Sequence, residues 1–219
     1  MIFKDDDVGK DLPSLKKWTD IVLKADAKGC IGLIGKYLKD KSIIDFLNSL
    51  DKEKIEVFCH GYSHSHIPFL LRKVIGRNRI LPTEFDRNYK SHCRSLKKYR
   101  ELENRFLKSK AMVFGPPGNL WNNSLIDPLI KYNFNAMFSW WEIKGDILKI
   151  PLVDNYRQTC LEDYINLYNN SKDKQIYTLQ FHHADLSEKQ FELLPEVINF
   201  LKKEKRVFIT PSELLNINL

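Results

Sequence analysis

No run of about 18 apolar residues occurs in the chain, which excludes a membrane-spanning helix on hydropathy. CxxC pairs are absent: Cys30, Cys59, Cys93 and Cys160 stand singly, so they read as reduced thiols and the compartment as cytoplasmic. A basic region followed by a cleavage site is missing at the N-terminus, so no secretory leader is expected. There is no internal repeat, linker or low-complexity segment. The 219 residues therefore read as one domain spanning 1–219, long enough to bury a sizeable core.

Acids are the scarcer charge: 35 Lys and Arg against 28 Asp and Glu leave +7, a balance that favours anionic partners without naming one. Against that background the stretch FKDDDVG, Phe3 to Gly9, is conspicuous, because it crowds three mutually repelling carboxylates. It is either a solvated loop, with an N-cap for the helix that follows, or a site where a cation and a proton transfer each need a carboxylate.

Apolar periodicity alternates along the chain. Strands are predicted at IFKD, CIGLIG (Cys30 to Gly35), IEVFC (Ile55 to Cys59), KAMVF (Lys110 to Phe114), FNAMFSW, ILKIPLV (Ile147 to Val153), IYTLQF (Ile176 to Phe181) and RVFIT (Arg206 to Thr210). Helices are predicted over Pro13 to Lys28, Lys41 to Asp51, within Thr83 to Lys108, over Asn123 to Tyr132, near Leu161 to Asn169 and over Ser187 to Lys203. Alternation of this kind indicates an α/β fold with a mainly parallel sheet, and about seven units suggest a barrel or near-barrel. The stretch His66 to Pro82, HIPFLLRKVIGRNRILP, is apolar and basic with no acid. It reads as an active-site lid or a surface for an anionic or lipid-linked partner, or as a packed loop, which leaves contact with the inner membrane surface open.

Four polar clusters follow predicted strands: Asp5, Asp6 and Asp7; HGYSHSH (His60 to His66); GPPGNLW (Gly115 to Trp121); and HHAD (His182 to Asp185). In parallel α/β barrels the loops after strand C-termini share one face, where active sites sit. Five of the six histidines lie in two of these clusters. If a helix begins at Gly61 to His64, His60 and His64 fall on one face. Two imidazoles and one carboxylate make a divalent-metal site with open positions, Zn²⁺ first, with Co²⁺, Ni²⁺, Fe²⁺ and Mn²⁺ as alternatives. His66 is an alternative ligand.

These residues resemble the polysaccharide deacetylase family, also called the NodB-homology or carbohydrate esterase 4 group, in family order over most of the chain. The resemblance implies a distorted (β/α) barrel, usually seven-stranded. An Asp-Asp motif is similar to Asp6-Asp7, which implies Asp6 as general base and Asp7 as metal ligand, with Asp5 leaving the register open by one residue. The H-S/T-x-x-H motif resembles His60 to His64, with Gly61 in the Ser/Thr position. The R-x-P motif resembles Gly115 to Gly118, with Gly115 in place of the Arg that orients the catalytic Asp. The L-x-H motif resembles Leu179 to His183, with His182 as general acid. Asp154 and Trp140-Trp141 are weak matches to an Asp-Trp motif.

By that resemblance the chain is a metal-dependent hydrolase that removes an N-acyl group, acetyl first, from a sugar. The favoured substrate is an intracellular sugar linked to a nucleotide or a lipid, as in surface-polysaccharide assembly, and not nucleic acid. Pro116, Pro117, Gly118, Trp121 and Tyr62 are the expected substrate contacts. Two other classes stay open: a metal hydrolase of a small non-sugar amide, and a non-catalytic carbohydrate-binding relative.

Overall fold

The structure, a computed structural model, describes residues 1–64 and 84–218. His66 and the basic stretch 66–82 lie outside the described residues. Among the described residues eight parallel strands form one sheet in the order β6-β5-β4-β3-β2-β1-β8-β7. They are β1 (Ile2–Val8), β2 (Gly29–Leu33), β3 (Ile55–Cys59), β4 (Val113–Phe114), β5 (Ala136–Ser139), β6 (Leu148–Pro151), β7 (Asp154–Asn155) and β8 (Thr178–Phe181). The sheet curls into a nearly closed, distorted (β/α) barrel, left open where, among the described residues, edges β6 and β7 do not pair with each other. The count is eight because the two-residue β7 adds itself to β8, a pairing too short to leave a periodic signal.

Among the described residues seven α-helices connect or cap the strands: α1 (Leu12–Lys24), α2 (Lys41–Ser49), α3 (Tyr89–Phe106), α4 (Ile126–Lys131), α5 (Leu161–Asn169), α6 (Glu188–Lys203) and α7 (Pro211–Asn218). Local chemistry sets their starts. Asp11 caps α1 by accepting the Ser14 N–H at 3.4 Å, and Pro13 sits in the first turn, where its missing N–H loses no bond. Ser187 and Gln190 form a reciprocal capping box on α6. Leu15, Trp18 and Val22 then turn one stripe of α1 onto the sheet. Among the described residues no helix is long and apolar enough to cross a membrane.

Every residue of β1 is buried, although four of its seven are charged. Side chains alternate across a strand. Phe3 joins the large core between sheet and helices, whereas Ile2 joins a second cluster with Cys30, Phe58, Val113, Phe138 and Ile150. Leu214 and Leu215 of α7 belong to that second cluster, so the last helix closes the bottom of the barrel. Ile2, Lys4 and Asp6 therefore form the inner row of β1, and Phe3 and Asp5 the outer one.

Two expected elements are corrected. Arg206 to Thr210 forms no strand: Ile209 donates to the Met1 carbonyl at 2.9 Å and the Met1 amino group to Val207 at 2.9 Å. Those bonds meet the chain before β1 begins, and Pro211 starts α7 at once, so no ladder can grow. The helix imagined at Gly61 to His64 is also absent, because Gly61 and His64 have φ of 76° and 48°.

Candidate functional site

Register assembles the site. Asp5 pairs with Phe181, Leu33 with Cys59, and Cys59 with Phe114. The residues just beyond those positions, Asp6, His60, Gly115 and His182, therefore come level at the C-terminal mouth of the barrel.

Asp7, His60 and His64 bring one ligand atom each within 4.8 Å of one another. His64 Nε2 lies 2.9 Å and His60 Nε2 3.6 Å from Asp7 Oδ1. That oxygen is buried. His60 Nδ1 donates to the Gly115 carbonyl at 2.8 Å, which leaves Nε2 with its lone pair toward the other two ligands. Burial lowers the His60 pKa to about 4, so its ring is neutral near pH 7. Burial opposes ionisation of Asp7, but the His64 hydrogen bond, the charges of His60 and His64 and the Lys10 bond at 2.7 Å hold it well below the usual carboxylate range. Two imidazoles and one ionised carboxylate fit a divalent cation.

The loop carrying His60 and His64 is held by a residue with no sequence signal. Glu84 is buried and accepts the backbone N–H groups of Tyr62, Ser63 and His64 at 2.9, 2.9 and 2.8 Å, and the Ser95 hydroxyl at 2.6 Å. This carboxylate satisfies three backbone donors that the loop itself leaves unpaired. A side chain at Gly61 would meet Phe85, Pro117 and Glu84 at 2.9–3.0 Å in a left-handed backbone, which explains glycine at that position.

Asp6 points into the barrel. Its Oδ1 lies 3.9 Å from His60 Nδ1 and its Oδ2 3.9 Å from His182 Nε2. Both oxygens accept from the Lys4 ammonium, which is wholly buried. Burial disfavours the Asp6 charge, yet Lys4, then His60 and His182, outweigh it and depress its pKa. No motif points to Lys4; the one signal that could have found it is its place two residues before Asp6, on the same strand face. A Cβ at Gly115 would come 2.6 Å from the Phe58 ring, so Phe58 occupies the space a longer side chain there would need.

His183 takes a different partner. Its backbone N–H and Nδ1 reach the carboxylate of Asp5 at 2.8 and 2.6 Å, and Nε2 lies 2.6 Å from the Lys10 carbonyl. Burial pushes the Asp5 carboxyl up. Burial also disfavours the His183 charge, but Asp5 more than reverses this and raises its pKa to about 9. Neither group faces the mouth.

The expected substrate contacts are spread around the rim. Pro116 and Pro117 are buried and Gly118 is exposed, with φ of 64°. Trp121 is half-buried and donates its indole N–H to Ser139 at 3.2 Å. Tyr62 is half-buried beneath the Lys98 ammonium, 5.2 Å from its ring centre. Trp140 and Trp141 are exposed just past β5. A cleft of about 250 Å³ beside His182 is lined by Tyr156, Arg157, Asp185, Leu186 and Gln190.

Against known proteins, the model of glycosyl hydrolase family 57 matches residues 1–217. No curated protein matches the chain. Similar solved structures include a carbohydrate esterase family 4 pseudoenzyme from Bacillus anthracis (17% identity, TM-score 0.65), of which this chain covers 65% with 98% of its own length. Another is the family 4 esterase domain of a multidomain xylanase from the hindgut metagenome of Trinervitermes trinervoides (16%, TM-score 0.66, 99% of this chain and 89% of that one). A third is a family 4 acetyl xylan esterase from Clostridium thermocellum in complex with a cobalt ion (14%, TM-score 0.69, 99% and 91%). At such identities the likeness is one of fold.

Assignment to the polysaccharide deacetylase family on short motifs is therefore corrected. Those motifs cover a few residues at the strand ends of a shared barrel, whereas the family 57 model weighs nearly every position.

Proposed function

The chain belongs to glycosyl hydrolase family 57; from the geometry of its site we propose that it is a metal-dependent hydrolase that cleaves an N-acyl group, acetyl first, from a sugar. The observation that carries this reading is the convergence of Asp7, His60 and His64 beside a clamped carboxylate and a half-exposed imidazole. Held by those three residues, a divalent ion supplies Lewis acidity toward water and a carbonyl oxygen.

The remaining roles fall to the chain itself. Water adds to the acyl carbon while Asp6 takes its proton. Lys4 occupies one lone pair on each Asp6 oxygen and leaves others for this task. The C–N bond breaks as His182 gives a proton to the departing nitrogen. Within Pro116–Gly118 only Gly118 has an N–H to offer a developing oxyanion, since prolines have none. The cleft beside His182 takes the sugar, and exposed Arg157 with the overall +7 charge suits a phosphorylated or otherwise anionic one.

The family name favours a second reading, cleavage of a glycosidic bond. That chemistry pairs an ionised carboxylate with a carboxylic acid held protonated. Asp6 and Asp7 are both held ionised, and Asp5, whose pKa is raised, faces His183. Asp5, Asp6 and Asp7 thus supply no such acid at the mouth; Asp185, in the cleft beside His182, is the carboxylate left to that reading, and the convergence of Asp7, His60 and His64 favours the amide.

The test is to load the protein with Zn²⁺ and offer N-acetylated amino sugars, free, nucleotide-linked and lipid-linked, together with aryl glycosides. Acetate release that disappears in His64→Ala along with stoichiometric metal supports the reading. Glycoside cleavage that survives metal removal overturns it.

A further inference from the structure

We propose that Lys4 is a positioning residue for Asp6: its buried ammonium sets the carboxylate plane that the proposed hydrolysis requires. This inference rests on the reading of Asp6 as proton acceptor. A lysine wholly excluded from water is rare unless paired, because a buried charge must be satisfied where it sits. Here the pairing is specific. Among the described residues both hydrogen bonds of the ammonium go to the two oxygens of Asp6, and no other acceptor is present. The rings of Phe58 and Phe138 stand on its other sides, each 5.2 Å from Nζ to ring centre, where their faces attract a cation.

The geometry follows from strand alternation. Residues 4 and 6 of β1 share the inner face, so the ammonium approaches Asp6 from below, within the barrel. A carboxylate held at both oxygens cannot rotate about its final torsion without losing a charge-assisted bond. Held this way, it presents one oxygen to His60 and the other to His182, each at 3.9 Å. Below the carboxylate the barrel is full: a Cβ at Gly32 would come 2.6 Å from the Phe58 ring and 3.0 Å from Asp6 Oδ1. Small residues on β2 and after β4 thus make room for the aromatic slot, and the slot holds the lysine.

A misplacement of about 1 Å can lower a rate by about 10²-fold. In Zn²⁺-loaded protein acting on an N-acetylated amino sugar, Lys4→Met should lower kcat by about that factor, with KM and bound zinc unchanged. Lys4→Arg, which keeps the charge and two donors, should recover most of the rate. In the Asp6→Asn background, adding Lys4→Met should cause no further loss, because there is no longer a carboxylate to orient. Equal losses in both backgrounds would overturn the proposal and leave Lys4 as scaffold. Should Lys4→Met not fold, Lys4→Gln replaces it in the cycle. One arm does not depend on activity: in a crystal structure of Lys4→Gln the Asp6 carboxylate should turn away from His60 and His182, and an unmoved carboxylate overturns the role. Wild-type protein inactive on every acylated sugar sinks the proposed function, and that structural arm then decides Lys4 by itself.

Discussion

Two carboxylate–cation pairs sit back to back on β1, one residue apart. Asp6 faces inward with Lys4; Asp5 faces outward with His183. Both acids are buried, and both have a cationic partner. The difference lies in what surrounds the pair. His183 uses both ring nitrogens, on Asp5 and on the Lys10 carbonyl, so its network is closed. Asp6 has two further imidazoles 3.9 Å away, too far for a hydrogen bond and close enough for a small molecule to intervene. A closed network ties β1 to β8; an open one can exchange a proton. Burial and pairing alone do not separate structure from chemistry, but unused capacity does.

The largest expected effect breaks the inner pair. Asp6→Asn fills the space and accepts one bond from Lys4 but takes no proton. It should keep zinc and lose turnover toward the 10⁴-fold end of the usual range for a lost acid or base. Turnover at the wild-type level would move the role to another residue.

Next comes His182→Ala, which removes the proposed acid on the same side. A drop of about 10²–10³-fold is expected for the amide, with partial recovery on an activated aryl ester, whose leaving group needs no proton. The matched variant His183→Ala should keep turnover per folded molecule within a few-fold. Breaking a buried pair costs roughly 3–5 kcal/mol, so its loss should be in stability, read by denaturant melts. If His183→Ala is the inactive variant of the two, the two pairs exchange their meanings.

The smallest effect sharpens the outer pair by pH. His183 has its pKa raised from 6.5 to about 9 in the folded chain. A raised histidine contributes stability in full below about pH 6.5 and loses it as pH climbs through about 9. Metal-free wild type should lose roughly 1–3 kcal/mol across that window. Asp5→Asn should flatten the curve there, and an unchanged slope in that variant would remove the charge from His183.

Much of the fold was legible because its signals are local. The stripe of α1, the capping Asp11 and Ser187, and the apolar runs at β2, β3 and β8 are each written within a few residues of where they act. Less legible were elements defined by a distant partner. KAMVF reads as a strand, but pairing to β3 and β5 limits β4 to Val113–Phe114; two-residue β7 exists through pairing to β8, and Arg206 to Thr210 lacks such a partner despite a strand-like composition. The loop from Gly61 to His64 takes its shape from Glu84, some twenty residues on, which no spacing rule connects to it.

The sequence by itself determined that acids, histidines and a Pro-Pro turn follow strand ends, and a parallel sheet sends those ends to one mouth. The two-residue period of a strand puts positions 4 and 6 on one face and position 5 on the other. Only the tertiary structure decided which row faced inward, that Phe58 fills the space beside Gly115, and that the cation on Asp6 comes from two residues earlier on its own strand. The period of a strand is a local property of its backbone; the partner each side chain meets depends on the closure of the barrel, which no local stretch encodes.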